Sequence, residues 1–266
     1  MLQRVDMVSD SLQLQLRLAQ DPRELAAAQR LRFSVFVEEL GAKCSDADRA
    51  ERLERDEFDP VCDHLVLIDP NRDAAALDHV VGAYRLLQDG QAATFGRFYC
   101  DGEFDLAPLR NSGRRLLEIG RSCVHADYRG KAAIYLLWNG LAEYALAHQI
   151  DVMFGAASFH GTDAAALAEP LAWLHHHHLA PPALRARALP EHFQSMDLLA
   201  PSALDRGRAM EQMPALIKAY LRAGGCVGEG AYVDHDFNTT DVLVIVDTAA
   251  MSLRHHSFYS RRHKVR

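Results

Sequence analysis

No stretch of this sequence approaches the roughly 20 apolar residues that a membrane-spanning helix needs, so no spanning segment is expected. Nor does an apolar core follow Met1, because the first ten residues are mixed and polar. A secretory signal is therefore not expected, and the chain is expected in the cytoplasm. The cysteines, Cys44, Cys62, Cys100, Cys123 and Cys226, are odd in number and contain no CxxC pair. That fits neither a closed disulfide framework nor a zinc site, and they read as reduced thiols. Positive charge is also short. A net charge of −7 argues against wholesale nucleic-acid binding. No GxGxxG follows the first apolar strand, which argues against a dinucleotide-binding fold. No internal repeat or low-complexity segment stands out beyond the four histidines His175 to His178. On a helix only His175 and His178 of that run share a face, and with no spaced third ligand no metal site is expected.

What is present is ordinary in bulk and informative in detail. An apolar fraction of 49% with 24% charged residues fits a soluble globular chain, and 266 residues suit a single enlarged domain. We read 1–266 as that domain, with a core over 12–250 and a tail over 251–266. The stretch 249–266 lacks Asp and Glu but holds Arg254, Arg261, Arg262, Lys264 and Arg266. Such a tail either touches an anionic membrane surface or acidic partner, or is a solvated terminus.

Period-two alternation of Leu12, Leu14, Leu16 and Leu18 with polar residues predicts a strand. Asp21-Pro22 caps and opens a helix running to about Glu39, with Leu25, Ala28, Leu31 and Val35 as its apolar stripe and Gly41 as its stop. Residues 42–57 read as a long loop or short helix. Strands are expected at 63–69, 78–87 and 115–124, with a short helix near 103–110. A long helix follows at 128–148, then a buried strand at 151–157. Helices at 162–177 and 210–222, and strands near 226–234 and 241–247, complete the order. This mixed sequence of elements predicts an α+β fold, a central mixed sheet with helices on both faces.

Four places carry chemistry. Glu118 and Arg121 interrupt an apolar strand, where an isolated buried charge costs several kcal/mol. Their odd spacing sends them to opposite faces unless Gly120 marks a bulge; the alternative is an edge strand with two solvated charges. Arg129, Gly130 and Lys131 stand at the start of the long helix, where free N–H groups suit a phosphate, and the alternative is a helix end capped by Asp127. Arg32 and Phe36, four apart, share a helical face. Asp56, Asp59 and Asp63 either hold a cationic substrate or form a solvated acidic loop.

These segments resemble two related families. Arg32 to Phe36 (RFSVF), Asp56 to Asp59 (DEFD), Gly82 to Leu87 (GAYRLL) and Glu118 to Arg121 (EIGR) look like the signature of acyl-homoserine lactone synthases, although Gly41-Ala42-Lys43 stands where that family has a Trp. A closer resemblance, over 12–250, is to the ornithine–acyl carrier protein N-acyltransferases. It is carried by Glu118 to Arg129, Ser158 to Asp163, Leu174 to Pro181, Ala219 to Gly225 and Asp236 to Asp241. That resemblance implies a GNAT-like sheet with added C-terminal helices and strands. It implies transfer of a 3-hydroxy fatty acyl group from acyl carrier protein to the α-amine of L-ornithine, giving lyso-ornithine lipid. No cofactor is expected to be tightly bound; the 4'-phosphopantetheine arm of the carrier arrives with the donor. Glu118 is then the expected base, with Arg121 orienting it or the carrier arm. Asp56, Asp59 and Asp63 are expected on the second amine of ornithine, and Arg32 or Arg85 on its carboxylate. Phe36, Ser158 and His160 are expected near substrate. Arg129, Gly130 and Lys131 are expected on the phosphate, where Ala132 and Ile134 replace the small residues of ordinary acetyltransferases. Phe33, Phe154 and Trp173 either line the acyl tunnel with Phe36 or pack the core, and Arg114, Arg115, Arg185 and Arg187 are expected to dock the carrier. A lactone synthase, an acylase of glutamine or lysine, and a binding module without turnover remain the alternatives.

Overall fold

The computed structural model describes residues 13–249, without the side chain of Lys131. The basic tail over 251–266 lies outside the described residues. The first strand, β1 (Gln15–Leu18), precedes helix α1 (Pro22–Arg32). Asp21 caps α1 as its sequence predicts, its carboxylate accepting the amides of Arg23 and Glu24 at 2.9 Å. The helix then changes character: Phe33–Glu39 is a π-helix, in which Leu40 N–H donates to Val35 O five residues back. Gly41, at φ +78°, turns the chain away. Within the stretch read as loop or short helix, Ser45 caps a helix, α2 (Asp46–Glu51).

Strands β2 (Asp63–Ile68) and β3 (Val80–Gln88) follow, then α3 (Asp89–Phe95), the two-residue β4 (Phe104–Asp105) and α4 (Ala107–Asn111). Strand β5 (Leu116–Val124) leads to the long helix α5 (Lys131–Ala147). Asp127 does not cap α5, contrary to one reading of the sequence: it lies in a short 3-10 turn, and Gly130 is the N-cap. Next come β6 (Val152–His160), α6 (Ala168–His178), β7 (Arg187–Ala188) and β8 (Phe193–Gln194). The helix expected over 210–222 is two helices, α7 (Arg206–Gln212) and α8 (Ala215–Arg222). Pro214 is the reason. It forces the preceding residue out of the helical region, and Met213 is extended at φ −67°, ψ 126°. The last expected pair of strands is likewise three: β9 (Cys226–Val227), β10 (Ala231–Asp234) and β11 (Thr239–Asp247), with Gly230 at φ +76° between the first two.

The described chain gathers into two compact units. One holds the residues up to Gly96 with Ile119–Gln149, the other Arg97–Glu118 with the residues from Ile150 onward. In the first, β1 pairs antiparallel with β2 and β2 with β3, and β3 neighbours β5. In the second, the first residues of β5 run parallel to β6, β6 pairs antiparallel with β11, and β11 with β10 and β9. Mixed strand directions with helices make this an α+β fold. Among the described residues no helix is long and apolar enough to cross a membrane.

In the first unit α5 packs closely against the sheet at Gly140. A Cβ there would meet Leu16 Cδ2 at 2.5 Å and Leu65 Cδ1 at 3.2 Å. Leu65, Val66 and Leu67 are fully buried, each contributing on the order of 1.5–3 kcal/mol. Gly140→Leu is therefore expected to destabilise the protein by about 1–3 kcal/mol through overpacking, read as a lower urea midpoint. An unchanged midpoint would show that α5 does not sit so near.

Candidate active site

In the first unit three arginines and three carboxylates meet. Arg32 ends α1, Arg85 lies on β3 and Arg121 on β5; Glu54, Asp56 and Asp59 come from the segment between α2 and β2. Arg32 pairs with Glu54 and donates to Asp59 at 2.7 Å. Arg85 reaches Asp56 at 2.5 Å and Asp59 at 3.0 Å. Arg121 reaches Glu54 at 3.1 Å and Asp56 at 3.0 Å. Gln29 donates to the other oxygen of Asp59 at 2.9 Å. Arg32 is 1% exposed, and its charge is tolerable because Glu54 and Asp59 pair with its Nε and Nη1, while its Nη2 is buried without a hydrogen-bond partner. The acidic segment is therefore not a solvated loop, as one reading of it held. Burial pushes the Asp59 carboxyl up, but Arg32 and Arg85 outweigh it and hold that carboxyl far below the usual range. Asp56 is lowered too, where Arg85 and Arg121 overcome the effect of burial.

The network also explains an irregularity in β5. The residue with the unusual backbone is Arg121, at φ +50°, and not Gly120. A left-handed non-glycine costs about 1–3 kcal/mol and persists only when its surroundings fix it; the two carboxylates on the Arg121 guanidinium do so. Two residues on, burial pushes the Cys123 thiol up to about 12, so it is no nucleophile. Asp63 stands apart from the network and accepts the Tyr144 hydroxyl at 2.5 Å. The π-helix separates the two residues expected to share a face. Arg32 enters the ion network, while Phe36 packs against the apolar cluster of Ala27, Leu31, Val66 and Cys123.

At the start of α5 the N-cap is a glycine, so no side chain covers the first-turn amides. Arg129 grips Glu39 through both nitrogens at 2.5 Å. Ile134 is exposed, pointing outward just past that turn.

In the second unit the centre is Glu118, 5% exposed on β5 opposite Phe154 of β6. Its two oxygens accept the amides of Tyr99 at 2.8 Å and Cys100 at 2.6 Å, which begin the 3-10 turn Tyr99–Gly102. Phe98 packs edge-on against Phe154, with ring centroids 5.1 Å apart, and closes the same corner. Burial, aided by Glu118 and Glu103, raises the Cys100 thiol well above its ordinary value. Ser158 and His160 are exposed near the end of β6, opposite Asp241 and Thr239 of β11. Of the expected carrier-docking residues, Arg114 pairs with Asp247 at 2.8 Å and Arg187 with Glu229 at 2.5 Å. Trp173 stacks on His177.

The histidine run departs from its helical expectation. Adjacent His175 and His176, not His175 and His178, come together, both near Asp197, with His176 Nε2 at 3.3 Å from that carboxylate. A partner 21 or 22 residues downstream is invisible to helical spacing. Sequence reasoning also missed Glu54, Tyr99 and Cys100; a charge in a loop and a backbone amide leave no spacing to read.

The family of acetyltransferase (GNAT) domains matches residues 31–139. This match, together with the relatives that follow, defines the class: the protein is a GNAT-type acyltransferase. The chain is also 62% identical over 256 residues to an L-ornithine N(alpha)-acyltransferase of Rhodobacter capsulatus, covering 96% of this chain and 98% of that one. Proteins of the same name from Agrobacterium fabrum, at 44% identity over 92% of this chain and 85% of that one, and Rhizobium meliloti, at 40% over 96% and 86%, are similar throughout. The chain belongs to the L-ornithine N(alpha)-acyltransferase family. Among solved structures, an N-acyl amino acid synthase from uncultured soil microbes gives a TM-score of 0.49 at 13% identity, covering 91% of this chain and 94% of that one.

Both lowered carboxyls bind fewer protons in the native state than when unfolded. The stability they confer is present above the ordinary carboxylate value and is lost as pH falls through the native value. His64, lowered by burial, acts in the same direction: its contribution is present above its ordinary value and lost below it. Unfolding free energy should therefore decline from about pH 6.5 downward and fall again below about pH 4. Asp59→Asn should cost about 3–5 kcal/mol at pH 7 by leaving Arg32 and Arg85 under-matched. Denaturant unfolding across pH checks both, and a flat profile from pH 7 to 3 would contradict the expected loss of stability in acid.

Proposed function

We propose that the protein transfers a 3-hydroxy fatty acyl group from acyl carrier protein to the α-amine of L-ornithine, forming lyso-ornithine lipid. The observation that carries this reading is the 62% identity, across nearly the whole of both chains, to a relative named for ornithine α-acylation. In the reaction the α-ammonium loses a proton, the amine nitrogen attacks the thioester carbonyl, the C–N bond forms and the C–S bond breaks. The carrier's thiol leaves with a proton.

Glu118 is the candidate base. The Tyr99 and Cys100 amides hold its carboxylate in a fixed orientation, as a base on a rigid element needs. A backbone N–H of β5 is the candidate donor to the tetrahedral oxyanion. The first turn of α5, opening at Gly130 and Lys131, would take the single phosphate of the carrier's arm; the Gly130 amide itself donates to Tyr128 O at 2.6 Å, and Arg129 would join only by exchanging Glu39 for the phosphate. Ile134, where ordinary acetyltransferases carry a small residue, leaves less room for a pyrophosphate, which favours the carrier over coenzyme A. Ser158 and His160 would stand at the acyl-transfer end of β6. To grip ornithine, Arg32, Arg85, Asp56 or Asp59 would have to give up a partner. We therefore assign them, with Arg121, to holding β5 in its irregular shape.

Purified protein incubated with 3-hydroxyacyl carrier protein or 3-hydroxyacyl-CoA and single amino acids should yield N-acylornithine, by mass, with the carrier as preferred donor. Glu118→Gln should lower the rate by about 10²–10⁴-fold. Full activity in that variant would remove Glu118 as base. Preference for another amino acid would replace the acceptor, and carrier binding without any product would favour a module without turnover.

A further inference from the structure

The turn that holds Glu118 is itself held, by residues outside the reaction described above. Tyr99–Gly102 is a single 3-10 turn, and Tyr99 and Cys100 give their amides to Glu118 at 2.8 and 2.6 Å. A 3-10 turn has poorer hydrogen-bond geometry than an α-helix, so one this short needs outside support. Asp101 provides it. Its Oδ2 accepts the Phe98 amide at 2.7 Å, which closes the turn over its first residue, and the same oxygen accepts a guanidinium nitrogen of Arg110. Arg110 comes from the last turn of α4, nine residues downstream, where Leu106 and Leu109 are buried and anchor the helix.

A second path runs from Arg110 toward the same carboxylate. The Arg110 guanidinium lies over the Phe98 ring, 5.4 Å from its centroid, where a cation is attracted to the ring face. Phe98 stands edge-on to Phe154, and Phe154 is the cross-strand partner of Glu118. The Arg110 guanidinium is raised above its ordinary value, first by its hydrogen bond to Asp101 and, against the opposing effect of burial, by the charges of Asp101, Asp105 and Glu118. It therefore lies within electrostatic reach of Glu118. Yet the Arg110 side chain is 44% exposed, and an ion pair so near the surface adds little to overall stability. Its effect is local: it keeps one oxygen of Asp101 on the Phe98 amide and Phe98 against Phe154.

We propose that Asp101, with Arg110, is a positioning residue for the acyl transfer: the pair fixes the turn whose amides orient the Glu118 carboxylate toward the acceptor amine. The assignment rests on the reading of Glu118 as base. Asp101 and Arg110 act through Glu118 and not on substrate. A reacting group displaced by about 1 Å loses on the order of 10²-fold in rate, so a loosened turn is enough to be seen in turnover.

The test is steady-state kinetics with 3-hydroxyacyl carrier protein and ornithine. Asp101→Ala should lower kcat by about ten- to a hundredfold and leave KM for ornithine and for the carrier within about twofold. Asp101→Asn, which keeps an oxygen for the Phe98 amide, should recover most of that loss. In a Glu118→Gln background Asp101→Ala should lower kcat no further, because the group it positions is already gone; a merely structural role would cost the same factor in both backgrounds. Arg110→Ala, at an exposed position, is the variant to use should Asp101→Ala fail to fold, and it should show the same dependence on Glu118. An equal loss in both backgrounds, a raised KM with kcat unmoved, or wild-type kcat in the folded variants would overturn the positioning role and leave Glu118 as base. Full activity in Glu118→Gln alone would instead overturn the reading of Glu118 on which the proposal rests.

Discussion

A carboxylate buried in a strand must find donors, and at Glu118 they are the two backbone amides of Tyr99 and Cys100. That single requirement organises the second unit. It fixes the turn Tyr99–Gly102 beneath β5 and brings Phe98 edge-on to Phe154. It also sets the wall on which Tyr99, Gly102 and Glu103 face a cavity. Charged-group hydrogen bonds are roughly twice as strong as neutral ones, and here both oxygens are engaged in a largely dry place. A group held in this way is already oriented when a substrate arrives, which is what a base on a rigid element needs.

The first unit answers the same problem with side chains. Arg32, Arg85 and Arg121 are balanced by Glu54, Asp56 and Asp59, charge for charge. Removing any one member strands its partners, so the six act as one structural group. The consequence for function lies in Arg121. Its left-handed backbone interrupts β5 three residues after Glu118, and its ion pairs stabilise a conformation that the strand alone would not keep.

Much of this was legible in the sequence, and what was not has physical causes. Asp21 with Pro22 marked the first helix, alternation marked the strands, and a charged pair inside an apolar strand marked β5. The rest turned on one proline that outweighs an apolar period and on residues far apart in the chain. Pro214 split a helix whose apolar period runs through it. Gly120 was the natural site for a bulge, yet Arg121 bends, because carboxylates 65 and 67 residues away reward it. The acids between 54 and 59 could be read as a substrate grip or a solvated loop, since only the fold reveals the arginines facing them.

The direct test of the anchoring role of Glu118 is amide hydrogen exchange at Tyr99 and Cys100, measured by NMR in the protein and in Glu118→Gln. A glutamine keeps one acceptor oxygen but turns an N–H₂ toward the second amide. At least one of the two amides should therefore exchange much faster in the variant, while β6 and β11 keep their protection. Equal protection of both amides in the two proteins would show that the carboxylate does not hold the turn.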